Sequence, residues 1–320
     1  FKDRDGVRYV GGARDKQSVV SAIAEDFGGG DCRSLGYPKQ VKTRAFIKIE
    51  DGCNNFCSYC VIPYLRGRVV SRSVEDVVGE VKACPAPEIV LTGINISAYG
   101  LNGTGLAGLV EALSFTQKRV RLGSIECSVI DDGLLSALCK LKDFAPQFHL
   151  SLQSGSDNVL RTMNRKYTRG QYLEKCALIY KYFPDAAITT DIIVGFCGES
   201  EENFCDSLSI IEEAGLARVH AFAFSPREGT AAFGLPDLPK DIKTERLHRL
   251  IAAGKTAEER YIERRLGREY VVIGEEFYGA YTCGYTGNYI RVYVEGEHTG
   301  KIKVRLAELF RDGALAEITD

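Results

Sequence analysis

The sequence predicts an α/β protein in which a partial barrel of six parallel strands is followed by a small antiparallel β-barrel. From residue 45 onward, short runs rich in Val and Ile alternate with amphipathic helical patterns. This alternation is typical of a parallel sheet, because parallel neighbours need a crossover connection. Beyond residue 267 the helical patterns stop, and segments of Tyr, Val and Ile with frequent Gly predict a separate β-rich unit.

The elements of the first part can be placed one by one. Six runs are predicted to be strands: 45–50, 88–93, 119–125, 147–152, 186–194 and 217–224. Amphipathic helices are predicted over 73–84, 105–117, 131–141, 169–182 and 201–213, with Ser73 and Asp131 as N-caps. Six strands are too few to close an eight-stranded barrel, so we expect an open barrel with its binding residues on loops at the C-terminal ends of the strands.

The second part follows a long helix predicted over 241–266, which Gly267 ends. Residues 268–320 carry six Lys or Arg against nine Asp or Glu, and this local net charge of −3 makes a poor surface for phosphate. Tyr285 and Tyr289 can either stack on bases or pack in the core of the small barrel. The mixed-charge segment 240–268 is either an RNA surface or a solvated helix with ion pairs.

Three cysteines, Cys53, Cys57 and Cys60, stand in Cys-x3-Cys-x2-Cys spacing within one loop. Three thiolates leave one iron of a 4Fe–4S cluster without a protein ligand and open to a small molecule. A structural zinc site usually needs a fourth Cys or His at short range, but the loop contains no His, and the next cysteine is Cys84. The spacing favours an iron–sulfur cluster, with zinc or unrelated thiols as the alternatives.

Composition narrows the class of protein further. The chain has 320 residues, a net charge of −2 and eleven cysteines. It contains neither an apolar run of membrane-spanning length nor a signal-peptide pattern, so we expect a cytoplasmic protein without a membrane partner. The net charge gives no global attraction to nucleic acid, and any RNA site must be local. Arg66, Arg68 and Arg72, directly after the cysteine loop, are the candidates for contacting substrate phosphate.

With Tyr59 before its third cysteine, the loop resembles the signature of the radical S-adenosylmethionine enzymes. Further blocks resemble the methylthiotransferase family within that superfamily, and they lie at 92–95, 149–156, 163–165, 191–199 and 225–230. Three more runs look most like the branch that acts on threonylcarbamoyladenosine in tRNA: 88–93, 182–191 and 284–290.

The resemblance implies three regions. Residues 1–37 look like the remnant of an N-terminal methylthiotransferase domain with a Gly-rich linker, residues 38–266 like a radical S-adenosylmethionine partial barrel, and residues 267–320 like a TRAM domain. Family members carry three more cysteines for a second 4Fe–4S cluster in the N-terminal domain, whereas this chain has only Cys32 before the triad. We therefore interpret the chain as a fragment, with the second cluster expected only in the missing domain.

The resemblance also assigns site residues. Cys53, Cys57 and Cys60 would hold a 4Fe–4S cluster whose open iron binds the amino and carboxylate groups of S-adenosylmethionine. Gly93 and Asn95 would receive the methionine amino group. The alternative for Asn95 is a local contact within a turn. The other candidate cofactor-binding residues are Tyr59, Glu126, Gln153, Arg165, Ile193, Gly195, Phe224 and Ser225.

These other residues have separate expected roles and alternatives. Glu126 and Gln153 can bind the amino group or the ribose hydroxyls, or can cap a helix. Arg165 can pair with the methionine carboxylate or form a surface ion pair. Adenine would lie on the apolar and backbone groups of Ile193, Gly195, Phe224 and Ser225.

The function implied by the resemblance is transfer of a methylthio group to C2 of N6-threonylcarbamoyladenosine beside the tRNA anticodon, by 5′-deoxyadenosyl radical chemistry. The expected partners are the anticodon stem-loop carrying threonylcarbamoyladenosine and an electron donor, and a monomer is expected. Close alternatives are methylthiolation of isopentenyladenosine in tRNA or of a ribosomal protein. The alternative from another class is a metal-containing RNA-binding module without catalysis.

Overall fold

The structure is a computed structural model that describes Tyr9, residues 16–27, Tyr37, residues 43–100 and residues 103–319. The predicted linker at 28–30 and Cys32 lie outside the described residues. Within the described part of the chain, no helix is both long enough and apolar enough to cross a membrane.

The six parallel strands that the sequence predicts are present in the first part of the chain, and they are arranged side by side in chain order. The third is divided at Gly123, whose backbone N–H donates to the carbonyl of Leu91, 2.8 Å away. The resulting sheets have the orders β1-β4-β5 and β6-β7-β8-β9. Their strands are β1 (Arg44–Lys48), β4 (Glu88–Thr92), β5 (Arg119–Leu122), β6 (Ser124–Ile125), β7 (Gln147–Leu150), β8 (Ala187–Val194) and β9 (Arg218–Ala223). Two short strands, β2 (Glu50–Asp51) and β3 (Val70–Ser71), pair antiparallel beside them.

The five predicted helices between the strands are present. Ser73 and Asp131 are N-caps as predicted, since their side chains accept from the backbone N–H groups of Asp76 and Leu134. The described helices are α1 (Lys16–Phe27), α2 (Ile62–Arg66), α3 (Val74–Ala83), α4 (Gly105–Ala112), α5 (Asp132–Cys139), α6 (Asp157–Thr162), α7 (Arg169–Tyr182), α8 (Glu201–Glu213) and α9 (Lys240–Glu263). The sequence analysis did not predict α1, α2 or α6.

The two faces of the parallel sheets differ in chemistry. One face packs against the helices in a single apolar cluster that includes Ile47, Leu91, Leu122, Phe148 and Ile192. Since side chains alternate along a strand, the neighbouring residues point to the other, concave face. That concave face carries polar and charged groups, which makes it the place for a site.

The C-terminal part is a closed barrel with strand order β10-β11-β12-β14-β13. Its strands are β10 (Glu269–Tyr278), β11 (Tyr281–Tyr285), β12 (Arg291–Glu295), β13 (Lys301–Phe310) and β14 (Gly313–Ile318). The predicted barrel is confirmed, and its pairs are antiparallel except β12–β14, which is parallel.

This small barrel packs at the N-terminal ends of the parallel strands, opposite the edge that carries the cysteine loop. The rings of Tyr285 and Tyr289 stack with centroids 4.7 Å apart. The Arg44 guanidinium lies 4.8 Å from the Tyr285 ring centroid, and the Arg121 guanidinium lies 4.8 Å from the Tyr289 centroid. The sequence left a choice between base stacking and core packing for the two tyrosines, but both instead join the two barrels.

Candidate functional site

The cysteine loop lies between β2 and α2 and is held by the segment after α6. The Ser58 N–H donates to the carbonyl of Met163, 3.0 Å away, and its hydroxyl donates to the carbonyl of Thr162 at 2.8 Å. The Asn164 side-chain amide donates to the carbonyl of Phe56 at 2.9 Å. The loop conformation is therefore fixed by a segment about one hundred residues downstream, with which it shares no local sequence signal.

The three thiols of this loop have the chemistry of a cluster-binding set. All three are free of disulfides, with Cys57 buried and Cys53 and Cys60 half-buried. The Asn95 amide nitrogen lies 3.7 Å from the sulfur of Cys53, and Arg165 Nη1 lies 3.3 Å from the sulfur of Cys57. Donors directed at sulfur stabilise thiolates, the form that binds iron. The residues present therefore fit an iron–sulfur cluster.

Binding of a metal cofactor by these thiols is coupled to the release of protons. Burial raises the pKa values of the Cys53 and Cys60 thiols, so binding of a metal cofactor must release protons from them. Among the described residues, no group of three or more His, Cys, Asp or Glu side chains is placed to hold one ion.

Arg165 is buried beside the loop, so the alternative of a surface ion pair is wrong. Its side chain is 6% exposed, and its Nη2 lies 3.1 Å from a carboxylate oxygen of Glu126. Its Nε donates to the hydroxyl of Tyr167 at 3.0 Å. Glu126 also accepts from the Asn55 side-chain amide at 2.6 Å. Arg165 and Glu126 thus form one buried pair that connects the cysteine loop to the end of β6.

A buried carboxyl group that the sequence analysis did not single out lies behind Asn95. The side chain of Glu50 accepts a hydrogen bond from the Asn95 backbone N–H. A Cβ atom at Gly93 would lie 2.5 Å from the same Glu50 oxygen, so only glycine lets the two segments meet. The other Glu50 oxygen is buried without a hydrogen-bond partner among the described residues, and burial raises the pKa of the carboxyl. The sequence signal that could have identified Glu50 is its position as an acidic residue at the end of an apolar run, just before the cysteines.

The residues expected at adenine lie around a small apolar cluster. Tyr59, Ile193 and Phe224 pack with Phe196 and Met163. Gly195 has a positive φ of 69°, and its N–H donates to the Glu199 carboxylate at 2.7 Å. The backbone of Gln153 pairs with β8, because its N–H donates to Asp191 and its carbonyl accepts from Ile193, each at 2.8 Å. Ser225 is exposed at the end of this group.

The three candidate substrate arginines differ in their surroundings. Arg72 precedes α3 and pairs with two carboxylates of that helix, Asp76 at 2.7 Å and Glu80 at 2.6 Å. Arg66 Nε lies 3.0 Å from an Asp51 carboxylate oxygen. Arg68 is exposed, and its guanidinium lies 4.7 Å from the Phe56 ring centroid.

The amino-acid sequence is similar to known protein families. The family model of the Radical SAM superfamily matches residues 47–211. The threonylcarbamoyladenosine tRNA methylthiotransferase MtaB of Chlamydia pneumoniae is 38% identical over 287 residues, which are 87% of this chain and 68% of the relative. The tRNA-2-methylthio-N(6)-dimethylallyladenosine synthase of Acetivibrio thermocellus is 35% identical over 272 residues, 82% of this chain and 56% of the relative.

A solved structure shows the same fold at low identity. The radical S-adenosylmethionine methyltransferase TsrM of Kitasatospora setae superposes with a TM-score of 0.51 at 14% identity, covering 59% of this chain and 38% of that one. The family model, together with the cysteine loop, defines an enzyme of the radical S-adenosylmethionine superfamily. Within it, the chain belongs to the methylthiotransferase family, whose members transfer a methylthio group using S-adenosylmethionine, a 4Fe–4S cluster and a second cluster.

Proposed function

We propose that this protein methylthiolates C2 of N6-threonylcarbamoyladenosine beside the anticodon of tRNA. The observation that carries the reaction type is the cysteine loop, in which Asn95 and Arg165 are directed at two of three free thiols. The loop stands at the C-terminal edge of an open parallel barrel, where enzymes of this architecture place their chemistry. The function also rests on membership of the methylthiotransferase family.

In this proposal the side chains around the loop hold and orient the cofactors. Cys53, Cys57 and Cys60 would bind the cluster, and Arg165 would balance the charge of the thiolates. When bound, the cluster and S-adenosylmethionine supply the 5′-deoxyadenosyl radical. Ile193 and Phe224 give an apolar wall that excludes water from a reactive species.

Threonylcarbamoyladenosine is favoured as substrate because the relative that acts on it matches 87% of the chain, against 82% for the dimethylallyladenosine relative. The identities of 38% and 35% do not separate the two strongly, so dimethylallyladenosine in tRNA is the second candidate. A site that hydrogen-bonds the polar threonylcarbamoyl group would reject adenosine without it, because buried groups would stay unpaired.

We also propose that the C-terminal barrel is a TRAM-like domain that contacts the tRNA. Phe277 and Tyr278 are 51% and 60% exposed on β10. The Arg311 guanidinium lies 5.6 Å from the Tyr278 ring centroid and 5.0 Å from that of Phe310. Exposed aromatic rings beside an arginine can stack on bases. With tRNA as partner, the expected location is the cytoplasm.

Nucleoside analysis tests the proposal. The chain, preceded by an N-terminal methylthiotransferase domain that supplies the second cluster, is expressed in a bacterial strain whose tRNA carries threonylcarbamoyladenosine and isopentenyladenosine but neither methylthio form, and digested tRNA is examined by mass spectrometry. We expect the methylthio form of threonylcarbamoyladenosine alone. Methylthiolation of isopentenyladenosine alone would replace the proposed substrate with the second candidate, and the absence of both would reject a tRNA substrate.

A further inference from the structure

A chain of hydrogen bonds crosses the concave face of β7 and β8. The Gln147 side-chain amide donates to the hydroxyl oxygen of Thr189 at 3.0 Å, and the same hydroxyl lies 3.0 Å from His149 Nδ1. His149 Nε2 lies 3.1 Å from an Asp191 carboxylate oxygen, and because a carboxylate accepts hydrogen bonds, Nε2 carries a proton and donates. The chain of donors ends on Asp191, whose carboxylate can only accept.

Asp191 lies in the middle of the concave face, below the residues expected at the cofactor. It is paired across the sheet with His220 on β9, and the rings of His149 and His220 have centroids 5.6 Å apart. Ile193, which packs beside Tyr59, is two residues nearer the C-terminal edge. Two residues along a strand correspond to about 7 Å. Asp191 is thus deeper in the barrel than the expected cofactor level.

The carboxylate of Asp191 still has capacity for another donor. Its side chain is 29% exposed, and among the described residues its one hydrogen bond comes from His149. An ionised carboxylate has about four acceptor positions. On the same face, Phe222 is 51% exposed and stands two residues beyond His220, where it offers a flat apolar surface suited to a base.

The geometry points to Asp191 as the acceptor for an N–H or O–H donor of the target nucleotide, with His149 as the positioning residue that orients its carboxylate. This inference rests on the proposed function and names how the substrate is recognised. The donor is either the N6 nitrogen of the substituted adenosine or the 2′-hydroxyl of its ribose. The Asp191 carboxylate would also repel the carboxylate of the threonyl group, so the threonyl group would point away from Asp191.

Equilibrium binding of fluorescent stem-loops to the anaerobically reconstituted enzyme tests this role. Three RNAs carry threonylcarbamoyladenosine, the same nucleoside methylated on N6 so that this N–H is absent, or the same nucleoside with a 2′-deoxyribose. We expect the wild type to lose affinity about tenfold for one of the two altered RNAs. Asp191→Asn should bind the parent RNA about tenfold more weakly and should no longer distinguish that altered RNA from it.

The altered RNA that binds the wild type more weakly identifies which group of the nucleotide is the donor. His149→Phe should weaken this discrimination as well, whereas His248→Phe, an exposed histidine on α9, should keep it. Thermal unfolding checks that each variant is folded, and the comparison between RNAs is internal to each variant. Asp191→Asn distinguishing the RNAs as strongly as the wild type would overturn the inference.

Failure of the proposed function looks different. In that case the wild type binds modified and unmodified stem-loops equally. The inference alone fails when the wild type prefers the modified RNA to the unmodified one, but Asp191→Asn distinguishes the altered RNAs from the parent RNA as strongly as the wild type does.

Discussion

The buried pair of Arg165 and Glu126 is expected to be a strong energetic link between the cysteine loop and the barrel. Their side chains are 6% and 21% exposed, and the charged atoms are 3.1 Å apart. Removing one partner of a buried pair costs about 3–5 kcal/mol, because it leaves an uncompensated charge. Glu126 keeps its bond from Asn55, so we expect Arg165→Ala to lower the free energy of unfolding by about 3 kcal/mol.

A double-mutant cycle isolates the pair. Arg165→Ala, Glu126→Ala and the double variant are unfolded in urea as apoproteins under reducing conditions, and the coupling energy is expected to be about 2 kcal/mol. The matched control is Glu111 with Lys140, an ion pair at 2.6 Å whose side chains are 52% and 60% exposed. Its coupling should stay below about 1 kcal/mol. Equal coupling energies in the two cycles would refute the argument that burial makes the Arg165 pair strong.

Three further outcomes follow from single contacts. Burial raises the pKa of the Glu50 carboxyl in the folded state, so its favourable contribution to stability is complete below the ordinary value of 4.5 and declines as pH rises through the raised value. The unfolding temperature of Glu50→Gln relative to the wild type should therefore increase with pH above about 4.5; a constant difference would contradict this. Gly93→Ala should cost about 1–3 kcal/mol in urea unfolding, because its Cβ meets Glu50, whereas Gly234→Ala meets nothing within 4 Å and should cost much less. Ser73→Ala should lose about 1 kcal/mol in the same assay by removing the cap of α3, and no loss would show that this cap is dispensable.

The parts of the fold that depend on local pattern were predicted well. Strands such as β8 and helices such as α7 match their predicted ranges closely, because periodicity and caps are encoded within each segment. Helix α6 was missed because it has only six residues, too few to show a helical period.

The parts that depend on long-range packing were predicted less well. The partners of Arg165 come from several segments of the chain, so its burial has no local signal. The contact of Tyr285 and Tyr289 with Arg44 and Arg121 depends likewise on how the two barrels pack. The chemical nature of the cysteine site was predictable because its three ligands lie within eight residues.

Anaerobic reconstitution with iron and sulfide, followed by reduction in the presence of S-adenosylmethionine, tests the central claim most directly. We expect an oxygen-sensitive cluster with a broad visible absorption band, and formation of 5′-deoxyadenosine. A variant with Cys53, Cys57 and Cys60 all changed to Ala should lose the band and the product. A matched variant of the exposed Cys139 and Cys205 should keep both. A colourless wild-type protein that retains zinc and leaves S-adenosylmethionine intact would contradict the account.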